Sequence, residues 1–124
     1  MKKFYICRHC GNLIEMIQDA DVPVVCCRQK MEALIPNTTE ASGEKHLPVV
    51  TMTDGAVHVN VGSAAHPMMP EYYIDWVYVQ TSQGGCRKHL SPGSDPIVTF
   101  HLGDEKPIAV YAYCNLHGLW MTEL

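Results

Sequence analysis

Residues 49–61 read Val-Val-Thr-Met-Thr-Asp-Gly-Ala-Val-His-Val-Asn-Val, and this stretch decides the fold. Asp54-Gly55 is a two-residue hairpin-turn signal, and the run after it alternates valines with His58 and Asn60. Because successive side chains of a strand point to opposite faces, the alternation predicts one buried face and one solvated face. The segment is therefore predicted to be a β-hairpin whose second strand buries Val57, Val59 and Val61.

Similar short patterns follow along the chain. Residues 72–80 alternate again, which predicts a strand with Ile74, Trp76 and Tyr78 on one face. Clusters of Gly, Pro, Ser and Asp separate the runs, and no helical period lies between them. This spacing is typical of an antiparallel β-sandwich. Two later runs repeat the alternation: Val98, Phe100, Leu102 and Ile108, Val110, Ala112.

Composition and charge exclude several classes of protein. The 124 residues carry 9 Lys and Arg against 13 Asp and Glu, a net charge of −4, which argues against a nucleic-acid or anionic-membrane binder. A hydrophobic content of 47% excludes a largely disordered chain. No apolar run approaches the roughly 18 residues of a membrane-spanning helix, and Arg8 and His9 interrupt any signal-peptide core. We therefore expect a cytoplasmic protein, in which cysteines stay reduced and indicate metal sites before disulfides.

The chain is predicted to contain two domains. Residues 1–36 hold four of the six cysteines and too few large apolar side chains to form a core alone. A segment this short needs a metal, a disulfide or a partner subunit to fold. Residues 37–45 are small and polar, which predicts a linker or an exposed loop. The β-sandwich is expected to occupy residues 37–124.

Four cysteines of the first domain have the spacing of a metal site. Cys7-x-x-Cys10 is followed after fifteen residues by the adjacent pair Cys26-Cys27. Four thiolates on two short turns can surround one tetrahedral iron or zinc ion, and Gly11 allows the first turn. The adjacent pair should distort this tetrahedron, because neighbouring side chains diverge. A redox-active pair or a set of buried thiols is the alternative, but the segment has no other means of folding.

The second domain carries a set of histidines with one cysteine. Cys114 and His117 are three residues apart, a spacing that can place both on one metal in a tight loop. Imidazoles with a single thiolate suit a redox metal. Cys86 stands alone beside a turn and is interpreted as a bystander thiol. The motifs that supply the set are Glu44-Lys45-His46, Ala65-His66-Pro67-Met68 and Cys114-Asn115-Leu116-His117-Gly118.

Together these motifs resemble the desulfoferrodoxin family, the two-iron superoxide reductases. The four cysteines match the family's desulforedoxin-like centre, which has the same adjacent pair. The three later motifs match its Glu-Lys-His loop, its Ala-His-Pro-Met loop and its Cys-Asn-x-His-Gly signature. The resemblance spans residues 4–121, and the motifs agree in order and spacing.

The resemblance implies a fold, an activity and partners. It implies an Ig-like seven-stranded antiparallel β-sandwich for residues 37–124 and a small rubredoxin-like Fe(Cys)4 knuckle for residues 1–36, assembled as a homodimer. The implied reaction is the one-electron reduction of superoxide to hydrogen peroxide, with electrons from a small carrier such as rubredoxin. Two irons per chain are implied, although zinc could replace them. The metal ligands would be Cys7, Cys10, Cys26 and Cys27 at one centre and His46, His66, Cys114 and His117 at the other.

The same resemblance implies roles for two charged residues. Lys45 would attract the superoxide anion and orient a proton-donating water. Glu44 would occupy the open position of the oxidised resting centre.

One position departs from the family pattern. The family has a further histidine six residues after the one in its Ala-His-Pro loop, and this chain has Tyr72 there. Tyr72 could supply a phenolate, since tyrosinate binds ferric iron, or it could pack at the surface while water fills the fourth position. If the site is impaired, the alternative function is non-enzymatic iron binding with electron transfer, or a structural role with zinc.

Overall fold

The computed structural model describes residues 3–124 and divides into two compact units, with the division between Ile35 and Pro36. The first unit is built from very short antiparallel strands: β1 (Phe4–Ile6), β2 (Leu13–Glu15), β3 (Val25–Cys26), β4 (Gln29–Lys30) and β5 (Glu32–Ala33). A three-stranded sheet has the order β2-β1-β5, and a two-stranded ribbon pairs β3 with β4.

The second unit is a seven-stranded sandwich in the part of the chain that the structure describes. Its elements are α1 (Gly43–His46), β6 (Pro48–Thr53), β7 (Ala56–Val61), β8 (Ile74–Thr81), β9 (Gly84–His89), β10 (Ile97–His101), β11 (Pro107–Cys114) and β12 (Gly118–Glu123). One sheet has the order β10-β7-β6 and the other the order β12-β11-β8-β9, with every pair antiparallel. This architecture confirms the predicted all-β, Ig-like sandwich with a small N-terminal knuckle.

Among residues 3–124, no helix has the length and apolar character needed to cross a membrane.

The hairpin of residues 49–61 forms as the sequence predicts. Strands β6 and β7 pair around Asp54-Gly55, and Gly55 has a φ of +69°, which favours glycine. The valines of β7 are buried, whereas His58 is half-buried and Asn60 is exposed. The buried valines join apolar side chains of β8, β10 and β11, so the core lies between the two sheets.

The predicted face assignment in β8 is wrong. The sequence predicts that Ile74 shares a face with Trp76 and Tyr78. Relative to β11, however, Asp75 is an extra residue, which makes a β-bulge. The bulge turns Ile74 into the core between the sheets. Trp76 and Tyr78 stay on the opposite face, where each ring lies against a tyrosine of β11.

Residues 37–45 are not a free linker. The side chain of Asn37 donates to the carbonyl of Met121 and accepts from its backbone N–H, at 3.1 and 2.8 Å. The end of the stretch enters α1, a single turn of four residues that finishes at His46. The polar composition reflects the exposure of these side chains, while both ends of the segment are attached to the sandwich.

Candidate metal centres

The four thiols of the first unit converge on one point. Their sulfur atoms all lie within 4.8 Å of one another, with Cys10 Sγ 3.6 Å and Cys27 Sγ 4.0 Å from Cys26 Sγ. Sulfur atoms bound tetrahedrally at about 2.3 Å from an ion are separated by about 3.8 Å. The cluster therefore has the size of a four-thiolate metal centre, as the spacing of Cys7, Cys10, Cys26 and Cys27 predicts.

A left-handed turn allows the adjacent pair to share this point. Cys27 and Arg28 have φ values of +53° and +63°, a conformation that non-glycine residues rarely adopt. The turn offsets the divergence expected for neighbouring side chains. Gly11 also has a positive φ of +85°, and the following Asn12 donates its backbone N–H to Cys10 Sγ at 3.5 Å. Such N–H donors to sulfur orient thiolate ligands.

The thiols of this cluster also shift one another's pKa values. The backbone N–H of Cys10 donates to Cys7, and this is the main cause that lowers the pKa of Cys7 to about 6. Hydrogen bonding to Cys10 raises the pKa of Cys27 to about 12 and is the largest of the causes that raise the pKa of Cys26. Cys26 and Cys27 therefore keep their protons unless a positive ion displaces them.

The second group of donors lies at one end of the sandwich because strand register brings its segments there. Cys114, the last residue of β11, is opposite both Ile74, which begins β8, and Gly118, which begins β12. In the other sheet, the start of β6 at Pro48 is opposite the end of β7 at Val61. The segments that adjoin these strand ends carry His46, His66, Tyr72, Cys114 and His117.

Two buried imidazoles in this group present lone pairs to each other. His46 and His66 are 1% and 2% exposed. The Nδ1–H of His46 donates to the carbonyl of Ser42 at 2.7 Å, and the Nδ1–H of His66 donates to the carbonyl of Pro67 at 2.6 Å. In each neutral ring the Nε2 atom is then unprotonated, yet the two Nε2 atoms are 3.2 Å apart. A cation between them removes this conflict, so the donors fit a bound metal ion.

Burial keeps both imidazoles neutral. Burial is the main cause that lowers the pKa of His46, and it lowers the pKa of His66 to about 4. The positive charge of Lys45 is the smallest of the causes that lower both pKa values. Neutral imidazole is the form that binds metals.

Cys114 belongs to the same donor cluster as His46 and His66, and His117 lies beside His46. Cys114 is fully buried, and its sulfur lies within 4.8 Å of the donor atoms of His46 and His66. The backbone N–H of His117 donates to Cys114 Sγ at 3.4 Å, while His117 Nδ1 lies 3.2 Å from His46 Nε2. Burial raises the pKa of the Cys114 thiol, so this thiolate also needs a neighbouring positive charge.

The two charged residues of the predicted site lie on α1 at the surface. Glu44 and Lys45 are exposed and lie on the same helical turn as the buried His46. The Glu44 carbonyl accepts from the Ser63 hydroxyl and from the Ala64 backbone N–H, at 3.2 and 3.1 Å. The turn after β7 therefore holds α1 and, with it, both charges.

Trp120 supports the site, although no motif in the sequence predicts it. Its ring stacks on His46 with centroids 4.9 Å apart, and its Nε1–H donates to the carbonyl of His117 at 3.1 Å. The only signal in the sequence is an aromatic residue three positions after His117. Its stacking partner comes from a distant part of the chain, which the spacing does not reveal.

The fold and these two clusters define a small all-β metalloprotein with a four-thiol centre and a separate centre of imidazoles and one thiol. The Desulfoferrodoxin family model matches residues 38–123, and the chain belongs to the desulfoferrodoxin family. Proteins of this family bind iron.

Individual relatives resemble the chain over nearly all of its length. It is 42% identical to the desulfoferrodoxin of Syntrophotalea carbinolica over 119 residues, which is 96% of this chain and 94% of that protein. Its structure is similar to that of the superoxide reductase from Treponema pallidum, with 38% identity and a TM-score of 0.83 over 99% of each chain. It is also similar to the 1Fe superoxide reductase from Giardia intestinalis, with 29% identity and a TM-score of 0.54, over 65% of this chain and 99% of that one.

Proposed function

We propose that this protein is a superoxide reductase. The reaction combines one superoxide anion, one electron and two protons into one hydrogen peroxide. The observation that carries the proposal is the pair of facing Nε2 lone pairs on His46 and His66, beside a buried thiol and with an exposed lysine next to His46 on α1. The similar proteins named superoxide reductases support the same activity.

Two irons per chain are part of this proposal. One would be held by the four thiolates of the first unit, and the other by the donor atoms of His46, His66, Cys114 and His117. Iron bound at the second centre in its ferrous form supplies the electron that superoxide needs. A small carrier protein such as rubredoxin would resupply the electrons, and the chain would act as a homodimer.

Burial gives the second site a protected side and an accessible side. Cys114 and His66 are shielded from water, so the thiolate keeps its electron density directed at the metal position. The accessible side carries α1, where the Lys45 ammonium attracts the superoxide anion and orients the water that donates a proton. Glu44, on the same turn, would return its carboxylate to the site after the product leaves.

Stopped-flow mixing of the reduced, iron-loaded protein with superoxide tests this function. We expect one hydrogen peroxide per superoxide consumed and no release of oxygen, which distinguishes reduction from dismutation. The His66→Ala variant and the zinc-loaded protein serve as controls and should not react. If the reduced protein with two irons leaves superoxide unchanged, the activity is wrong and electron transfer or a structural role becomes the better interpretation.

A further inference from the structure

The hydroxyl group of Tyr72 lies among the donor atoms of the second centre. Its Oη atom is 3.2 Å from His46 Nε2 and 3.2 Å from His117 Nδ1, and these two nitrogens are 3.2 Å from each other. Neighbouring ligand atoms bound at about 2.1 Å from one ion are separated by about 3.0–3.4 Å. The triangle of Oη and two nitrogens therefore has the size of one face of a coordination shell.

Hydrogen bonds alone do not account for this arrangement. His46 Nε2 has three neighbours at 3.2 Å, and a fourth contact of the same length joins Tyr72 to His117. His46 and His66 place their protons on Nδ1, so only the phenol and the ring of His117 have a proton to offer. Two protons can satisfy at most two of the four contacts, so in the other two contacts a lone pair faces a lone pair. A cation that accepts all of them satisfies every contact.

The backbone holds Tyr72 in this position. The backbone groups of Tyr72 and Met69 exchange two hydrogen bonds, of 2.9 and 3.1 Å. The side chain of Asn115 accepts from the backbone N–H of Tyr73 and donates to the carbonyl of Glu71, at 2.9 and 3.0 Å. Asn115 follows Cys114 directly, so the segment that carries the thiol also positions the tyrosine.

The Tyr72 ring packs among the imidazole rings of the cluster. It makes T-shaped contacts with the rings of His66 and His117, with centroid distances of 4.6 and 5.4 Å. Its hydroxyl faces the imidazole nitrogens, whereas a tyrosine that packed at the surface would turn its hydroxyl to solvent.

From this geometry we infer that Tyr72 is a metal ligand, which binds through its phenolate oxygen and makes the second centre a site with two anionic donors. On binding, the Oη–metal bond forms, the O–H bond breaks and the proton goes to solvent, with no electron transferred. The inference concerns the same site as the proposed function and rests on it only for the identity of the metal as iron.

A second anionic ligand restricts which carrier proteins can reduce the centre. Negative charge at the ligands stabilises ferric over ferrous iron, which lowers the reduction potential of the centre. The protein would then need a low-potential electron carrier for reduction.

Resonance Raman spectroscopy of the ferric protein tests the ligand directly. Excitation in the visible charge-transfer band should enhance phenolate ring vibrations in the unmodified protein. Tyr72→Phe should abolish these vibrations and raise the reduction potential of the centre, and Tyr72→His should restore a site with nitrogen in place of oxygen. Tyr73→Phe, which removes a hydroxyl from the neighbouring half-buried tyrosine, is the matched control and should leave both measurements unchanged.

The unmodified protein alone is sufficient to decide the question. If phenolate vibrations are absent from its ferric spectrum, Tyr72 is only a hydrogen-bond partner of the imidazoles and the inference is wrong, even where a variant loses iron. The spectrum requires no turnover, so its outcome is independent of the proposed activity. Phenolate vibrations in a protein that leaves superoxide unchanged would support the ligand and contradict the reductase.

Discussion

The two units of this protein hold their candidate metal centres in opposite ways. In the first unit, the strands are two or three residues long and three of the four thiols are at least partly exposed. In the second unit, the strands run for five to eight residues over a continuous apolar core, and Cys114 belongs to that core. The comparison indicates that the metal should hold the first unit together, whereas the second unit should fold first and then present a ready site.

The largest effect is expected from Cys26→Ser in the first unit. This variant should release the metal of the four-thiol centre and unfold that unit, while the sandwich keeps its strands. The reason is that thiolate–metal binding, about 10–16 kcal/mol for comparable sites, supplies nearly all the folding free energy of such a small unit. Metal analysis with amide NMR spectra of both units measures the effect.

Cys86→Ser is the control for this experiment. Cys86 is a free cysteine like Cys26, but it is exposed on β9 and lies outside both donor clusters. A Cys26→Ser protein with a full metal complement and an intact first unit would contradict the four-thiolate assignment.

Truncation of a large side chain in the core should affect the second unit and spare the first. Phe100 is 1% exposed between the two sheets, and Phe100→Ala should destabilise the second unit by about 3–5 kcal/mol. The four-thiol centre should keep its metal. Denaturant unfolding of the metal-loaded protein, followed separately for each unit, provides the measurement.

Ile97→Ala on the same strand is the control, because Ile97 is 53% exposed. Its effect should stay within about 0.5 kcal/mol. Loss of the first unit's metal in Phe100→Ala would show that the two units do not fold independently.

Gly62→Ala should displace α1 and thereby weaken metal binding at the second centre, while the sandwich stays folded. Gly62 is buried with a φ of +86°, and an added Cβ would overlap the carbonyl oxygens of Lys45 and Ala64. The clash pushes α1 away, so the variant should lose about 2 kcal/mol of stability and bind metal more weakly at the second centre.

Gly93→Ala is a closely matched control. Gly93 has a φ of +92°, but no heavy atom lies within 4 Å of its added Cβ. It should show only the backbone penalty of about 1 kcal/mol and unchanged metal affinity. Equal metal affinities of the two variants, measured by competition with a chelator, would show that α1 needs no support from this turn.

Lys45→Ala should change the rate of reaction and leave stability unaffected. The loss of a local positive charge on an acidic protein should slow the second-order reaction with superoxide by about tenfold at low salt and flatten its salt dependence. Pulse radiolysis at two ionic strengths gives both values. Lys106→Ala, at the opposite end of the sandwich, removes the same charge and should have little effect. Equal rates and salt slopes for the two variants would reduce Lys45 to a solvated surface residue.

Much of the fold can be predicted from local patterns. The hairpin of residues 49–61 follows from alternation and a turn signal that act over a few residues. Alternation predicts the wrong face for Ile74 because a β-bulge depends on the partner strand, and no local pattern marks Asp75 as the extra residue. The polar stretch that leads into α1 resembles a linker for a similar reason, since Asn37 finds its partner on the last strand.

By itself, the sequence determined which donor atoms are available and in what order. The spacing of Cys7, Cys10, Cys26 and Cys27, and the motifs around His46, His66 and Cys114, are sufficient to identify two groups of ligand-type residues. These are properties of residue type and short-range spacing, which local geometry constrains strongly.

Only the tertiary structure decided how these atoms face one another. The Nδ1 protons of His46 and His66 are directed to backbone carbonyls, and the resulting pair of facing lone pairs appears only after β6 pairs with β7. The position of Tyr72 Oη between two imidazoles likewise depends on Asn115, more than forty residues away in the chain. Hydrogen bonds and lone-pair contacts act over about 3 Å in space, so sequence spacing does not determine them when the partners are distant along the chain.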